Sequence, residues 1–199
     1  MVVAILPHYV ARARSIPKSS TMQSVRLIQF SDLHLFGEAS GRLRGVATLP
    51  SLQAAVADAQ RRSHRADGVL LTGDLVQDDP EGYRWVRQVF GASRSPVLCL
   101  AGNHDLPDHM RAALRGGPFK IGGHTEFGRW LVVMLDSWIA NDAGGRIGAE
   151  QLNYLREVLR EHRNHHVLVC LHHQPIAMRS KWLDDVALYD ADDFLCVVR

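Results

Sequence analysis

Five short runs of apolar, largely β-branched residues recur along this chain, and each one ends on a glycine or a polar cluster. They span Val25 to Phe30, Gly68 to Thr72, Pro96 to Ala101, Trp130 to Leu135 and Val167 to Leu171. Runs of this length between turn residues read as strands buried on both faces. The segments between them carry apolar residues at helical spacing. Leu52, Ala55, Val56 and Ala59 mark a helix over 49–61, and Leu152, Leu155, Val158 and Leu159 mark one over 149–161. Pro80 to Phe90 fits a helix with proline near its start, Pro107 to Leu114 fits another, and Asp190 to Val198 begins a last one. Strands that do not alternate apolar with polar residues need cover on both sides. Strands alternating with helices supply that cover, so the expected fold class is α/β.

In such sheets ligands gather at the loops after the carboxyl ends of the strands. The polar motifs stand in that position. Asp32-Leu33-His34 follows the first strand, Gly73-Asp74 the second, Gly102-Asn103-His104-Asp105 the third and His172-His173-Gln174-Pro175 the fifth. In an extended segment Asp32 and His34, two apart, would point to one side and could face one ion. A carboxylate with an imidazole suits Fe, Mn or Zn better than Ca. Asp74 could bridge two ions with its two oxygens. Gly102 permits a sharp turn, Asn103 offers a neutral amide oxygen, and His104 can reach a substrate with Asp105 fixing its tautomer. Two adjacent histidines at a strand end favour metal, with one of His172 and His173 as the direct ligand. Each motif alone is also compatible with an ordinary turn. Asp78 and Asp79 read as turn residues or a helix cap before Pro80. His64, His162, His165 and His166 fall on expected helix or loop surfaces and receive no role.

The rest of the sequence narrows the classes. A net charge of +2 gives no argument for nucleic acid or an anionic membrane. No apolar run reaches the roughly 18 residues of a membrane span. Cys99, Cys170 and Cys196 lie far apart in apolar surroundings without a CxxC pair, which reads as buried thiols in a reducing compartment, and localisation is expected to be cytoplasmic. From Met1 to Ser31 there is no acidic residue, while Arg12, Arg14, Lys18 and Arg26 are basic. Residues 1–24 are read as a disordered tail or an early start, with Met22 as the alternative start, and 25–199 as the folded domain.

Taken in order, DxH, GD, GNHD and HHxP at successive strand ends resemble the calcineurin-like metallophosphoesterase superfamily. Within it the chain is similar to the bacterial class III 3′,5′-cyclic AMP phosphodiesterases. Ser31 to Phe36, Thr72 to Asp78, Leu135-Asp136-Ser137 and Trp182-Leu183-Asp184 carry that likeness. The resemblance implies a two-sheet sandwich flanked by helices. It implies two divalent ions (Fe, Mn or Zn): Asp32 and His34 on the first, Asp74 bridging, Asn103 and either His172 or His173 on the second. The family's habit of placing its ligand two residues before the proline selects His173, and a gapless reading leaves His172 open. His104, backed by Asp105, would sit over the phosphate, and His34, Asp74, Asn103 and His104 would touch substrate. The implied reaction is hydrolysis of 3′,5′-cyclic AMP to 5′-AMP by a metal-bound hydroxide, with a small cyclic nucleotide as partner and neither nucleic acid nor membrane. The family closes its site with a later Gly-His-x-His segment that does not occur before Arg199. The second sheet is therefore expected to be incomplete, and the alternatives are a weakly active or inactive metal-binding remnant, or a metallophosphoesterase of other specificity.

Overall fold

The computed structural model describes residues 24–62 and 65–199, together with the backbone of a strand at Val2–Leu6. The expectation for residues 1–24 falls, apart from that strand and Ser24, outside the described residues, as does His64. In chain order the strands are β1 (Val2–Leu6), β2 (Leu27–Phe30), β3 (Arg42–Leu43), β4 (Val46–Ala47), β5 (Gly68–Thr72), β6 (Val97–Leu100), β7 (Phe119–Ile121), β8 (Gly123–Phe127), β9 (Trp130–Met134) and β10 (His166–Leu171). The helices are α1 (Thr48–Arg62), α2 (Tyr83–Phe90), α3 (Pro107–Ala113), α4 (Gly148–Glu161), α5 (Lys181–Asp184) and α6 (Ala191–Val198).

Two four-stranded sheets face each other, as the resemblance implied. One runs β2-β5-β6-β7 with every pair parallel. The other runs β1-β10-β9-β8, with β10 and β9 parallel and both outer pairs antiparallel. Leu70, Leu98 and Leu100 of the first sheet meet Val132, Met134, Leu168 and Cys170 of the second in the layer between them. The outer face of the first sheet packs on α1, α2 and α3 through Leu52, Val86, Phe90 and Met110. The outer face of the second packs on α4 and α6 through Leu152, Leu155, Val158 and Phe194. Both faces of every central strand are thus covered, which explains why those strands read as unbroken apolar runs. Each fully buried side chain of this kind contributes about 1.5–3 kcal/mol.

The helices begin where their local chemistry allows. Asp79 accepts from Glu81 N at 3.0 Å and opens a single 3-10 turn (Pro80–Gly82) that leads into α2. Pro107 stands at the start of α3, where its missing N–H costs nothing. Cys99 and Cys170 are buried as expected, but Cys196 is exposed on α6, on the helix face turned from the sheet. Among the described residues no helix is long and apolar enough to cross a membrane.

Because β2, β5 and β6 are parallel, their carboxyl ends share one edge of the first sheet. The end of β10 arrives there from the second sheet, and His172 Nδ1 donates to the Thr72 carbonyl at 3.0 Å. The motif loops therefore meet at one place, between the two sheets.

Candidate metal centre

The loops after β2 and β5 are laced together backbone to backbone. Asp32 N donates to Gly73 O at 3.0 Å, His34 N to Asp74 O at 2.9 Å and Leu35 N to Leu75 O at 3.1 Å. The segment is not extended, contrary to the expectation for Asp32 and His34. Asp32, His34 and Asp74 all hold left-handed backbone, with φ of 57°, 45° and 52°. That region is costly for residues with a Cβ, and three such residues in two adjoining loops mark a place where geometry has been kept at the expense of strain.

Asp74 is the hub. It is buried, and its Oδ2 lies 3.7 Å from His34 Nε2 and 3.6 Å from His172 Nε2. Its Oδ1 accepts from His104 N at 2.9 Å. Two sets of potential ligand atoms share it, one of His34, Asp74 and His104 and one of Asp32, Asp74 and His172, each set lying within 4.8 Å. Asp32 and His34 fall into different sets, and left-handed turns, not an extended strand, direct their side chains. Asn103, half-buried, follows Gly102 in the same loop as His104.

The two adjacent histidines have different surroundings. His172 uses Nδ1 as a donor to a carbonyl, so its neutral ring presents a lone pair on Nε2 toward the Asp74 carboxylate. Two acceptors facing each other need a cation between them. His173 Nε2 donates to Ala143 O at 3.2 Å, and its Nδ1 receives the Ser137 hydroxyl at 2.8 Å, so both nitrogens are already used. Its ring lies against Gly145, where any Cβ would strike it. Burial, then the neighbouring His172 charge, push the His173 pKa down to about 4. The ring facing Asp74 is therefore that of His172, three residues before the proline.

Glycine is required at two positions. A Cβ on Gly73, at φ 96°, would run into the His172 ring and come within 2.8 Å of Gly102 N. One on Gly102 would strike the Asp74 carboxylate and approach His172 Cε1 to 2.7 Å. The two glycines let the loops close around Asp74.

The expected partnership of Asp105 with His104 is not present. Asp105 is buried and accepts from Leu75 N at 3.1 Å, Val76 N at 3.3 Å, Gly102 N at 2.9 Å and Tyr83 Oη at 2.8 Å. It ties the two motif loops together from beneath. Burial is the largest influence on it and raises its pKa to about 6, against the hydrogen bonds from Gly102 N, Leu75 N and Tyr83 Oη and with the nearby Asp74 charge. The carboxylate on His104 is Asp78, whose Oδ2 lies 2.9 Å from His104 Nδ1 and also accepts from Gln77 Nε2 at 2.8 Å. The residues that motif reading passed over (Asp78, Tyr83 and Ser137) had a signal in two cases. Asp78 and Ser137 lie inside the segments that carry the family likeness.

On Asp74, burial raises the pKa, but His172, the His104 backbone N–H and His34 outweigh it, and the net shift is downward. The donor set suits a divalent ion. The nitrogen–oxygen separations around Asp74 are too long for hydrogen bonds but close to the spacing of two donors on one ion with bonds of about 2.0–2.2 Å. Among the described residues, His34 Nδ1 is buried with no hydrogen-bond partner.

The calcineurin-like phosphoesterase family model matches residues 25–197. The chain belongs to the calcineurin-like phosphoesterase family. Its similarity to curated proteins includes the 3′,5′-cyclic adenosine monophosphate phosphodiesterase CpdA of Pseudomonas aeruginosa, with 35% identity over 85% of this chain and 62% of that protein. The CpdA of Haemophilus influenzae is 34% identical over 80% of this chain and 59% of that protein. The chain therefore spans about three fifths of the length of these relatives. A crystal structure of a dimetal phosphatase from Danio rerio superposes with a TM-score of 0.66, covering 87% of this chain and 77% of that one, at 14% identity. At that identity the likeness speaks for the fold of the family.

Proposed function

We propose that this chain carries the hydrolytic centre of a metal-dependent phosphodiesterase that opens 3′,5′-cyclic AMP to 5′-AMP. The observation that supports it most is the position of Asp74, shared by two sets of ligand atoms that each add an imidazole to it. The naming of relatives at 35% and 34% identity as cyclic AMP phosphodiesterases supports the substrate.

In this reading His34 and His172 would each hold a divalent ion, with Asp74 shared by both and Asp32 and Asn103 adding what else this chain offers. His173 is left to support the loop. Fe, Mn and Zn fit imidazole and carboxylate donors. Such a pair of ions, when bound, activates a water and neutralises the phosphate oxygens.

The chain's own residues then account for the proton. His104 is half-buried beside His34, with ring centroids 5.3 Å apart, so it reaches the same space as the ligand set. Asp78 Oδ2 and Gln77 Nε2 both lie 2.9 Å from Nδ1 and hold the ring there, so Nε2 is the nitrogen left for the substrate oxygen. Water adds its oxygen to phosphorus and the bond from phosphorus to the 3′ oxygen breaks. His104 protonates that oxygen and recovers a proton from the attacking water through solvent. Asp105 acts through the backbone, by holding Gly102 and Leu75 in place. The free, buried thiols of Cys99 and Cys170 fit a cytoplasmic setting.

The test is direct. Metal-stripped chain is incubated with 3′,5′-cyclic AMP and Mn²⁺, and the products are separated by chromatography. Release of 5′-AMP that stops on chelation supports the reading. Hydrolysis of simple phosphomonoesters with cyclic AMP untouched would overturn the substrate assignment.

A further inference from the structure

A cleft of about 540 Å³ opens beside the candidate metal centre, at the side of the first sheet where β2 is the outer strand. Its size falls within the roughly 300–1,000 Å³ of small-molecule sites. Asp32 and His34 stand in its wall, and each also belongs to one of the two ligand sets around Asp74. The cleft and the metal centre therefore adjoin.

Three elements build the other walls. Thr48, Ser51, Leu52 and Ala55 succeed one another at helical spacing, so one face of α1 lines the cleft. Leu43 and Val46 are directly paired across the β3–β4 hairpin, which puts both on one face of it, and that face also lines the cleft. Arg44 and Gly45 close the hairpin with φ of 47° and 85°, the left-handed backbone that a two-residue turn between strands favours. Arg42 Nη1 donates to Gly45 O at 2.7 Å and holds that turn. Thr48 N donates to Gly41 O at 3.2 Å and ties the start of α1 to the start of the hairpin. Phe30, at the end of β2, rests on Phe90 with ring centroids 5.5 Å apart and supplies the third wall.

The few polar groups say what such a cleft can hold. Ser51 Oγ donates to Ala47 O at 2.7 Å, and Thr48 Oγ1 to Gly41 O at 3.5 Å. A hydroxyl has one hydrogen, and both of these are turned to carbonyls, so Ser51 and Thr48 offer a ligand lone pairs. The walls around them, Leu43, Val46, Leu52 and Phe30, are apolar. A flat apolar ring with an N–H donor on its edge fits that combination. Adenine with its exocyclic amine is such a ring. In cyclic AMP one sugar joins it to the cyclic phosphate, so a phosphate at the metal centre brings the base into the adjoining space.

We propose that this cleft is the base subsite, with the adenine ring lying against Leu43 and Val46 of the hairpin and against the Ser51–Ala55 face of α1, its amine donating to Ser51 Oγ. The inference rests on the cyclic nucleotide reading given above and deepens it, because it names the residues that select the base.

The experiment is equilibrium dialysis of the metal-free full chain against labelled adenosine, which carries the base and no phosphate, and against purine riboside, the same nucleoside without the amine. It is repeated on Ala55→Trp, whose indole would fill the cleft, and on Ser51→Ala. The wild type is expected to bind adenosine about fivefold more tightly than purine riboside, the size of one added hydrogen bond. Ser51→Ala should bring that ratio below about twofold, and Ala55→Trp should weaken adenosine at least about tenfold. The Ser51→Ala comparison decides alone if Ala55→Trp does not fold. Adenosine bound equally by the wild type and both variants, or by none, would overturn the cleft, even in a chain that hydrolyses cyclic AMP when loaded with Mn²⁺. The expected pattern in a chain whose Mn²⁺ form leaves cyclic AMP intact would uphold the adenine site and overturn the proposed reaction instead.

Discussion

Asp78 Oδ2 lies 2.9 Å from His104 Nδ1, across a gap of 26 residues, and joins the loop after β5 to the loop after β6. Asp78 is exposed, with 62% of its side-chain surface open, so the pair adds little to stability. Its consequence is orientation. The ring is held at Nδ1, beside the His104 N–H that donates to Asp74 Oδ1. Asp78→Asn is expected to lower turnover by about tenfold, at the modest end of what orienting partners contribute, while bound metal stays unchanged. Unchanged turnover in a metal-loaded variant would remove Asp78 from the mechanism. His104→Ala should also keep its metal and lose more activity, whereas loss of both ions there would make His104 a ligand.

Asp74 is the residue on which both ligand sets depend. Asp74→Ala takes away the only carboxylate common to them and leaves His34 and His172 facing each other without charge between. The loss of metal affinity should exceed the roughly 100-fold that follows removal of a ligand's supporting partner, and turnover should fall with it. Metal content by plasma emission and turnover should be measured on the same sample. Substantial hydrolysis in the variant would sink the bridging assignment.

The stability of the site rests on Asp105. Four donors converge on its carboxylate, three of them backbone N–H groups. Asn at this position retains one oxygen and turns an amide N–H₂ toward donors. Asp105→Asn should cost about 3 kcal/mol, read from the urea midpoint at constant slope, since each buried donor left unpaired costs about 1–3 kcal/mol. Tyr83→Phe removes one donor and should cost about 1 kcal/mol. If the two variants were equally stable, the convergence would have no energetic weight.

Much of this was readable from the chain, for reasons that differ by element. The buried strands β5, β6, β9 and β10 show as apolar runs because both of their faces are covered, and α4 shows because Leu152, Leu155 and Val158 share one buried stripe. The strands β7 and β8 were missed. Phe119–Ile121 is short, and His124, Thr125 and Glu126 are polar because β8 is an outer strand with an open face. The meeting of the motif residues was legible from their places at strand ends, since Asp32, His34, Asp74, His104 and His172 come together. Its pairings were not. Which histidine of the two faces Asp74 depends on Ser137 and Ala143, far away in sequence, and the left-handed backbone at Asp32 and His34 defeats any argument from strand geometry.

His173 gives a test of that distinction in acid. Its pKa in the folded chain is pushed down to about 4 by burial and by His172, while an unfolded histidine titrates near 6.5. Between those values the unfolded chain takes up a proton that the folded chain refuses. The contribution of His173 is therefore complete above about pH 6.5 and is lost as the pH falls toward 4. A shift of that size corresponds to at most about 3 kcal/mol. His172 works the other way, because after its burial cost Asp74 raises its pKa, so the wild-type slope alone does not isolate either ring. The difference between wild type and His173→Gln does. Urea unfolding of metal-free protein should show the wild type losing more stability than His173→Gln between pH 7 and pH 5, by about 2 kcal/mol. Parallel pH profiles would mean that His173 titrates freely in the folded chain, and the two hydrogen bonds given to its ring nitrogens would have to be given up.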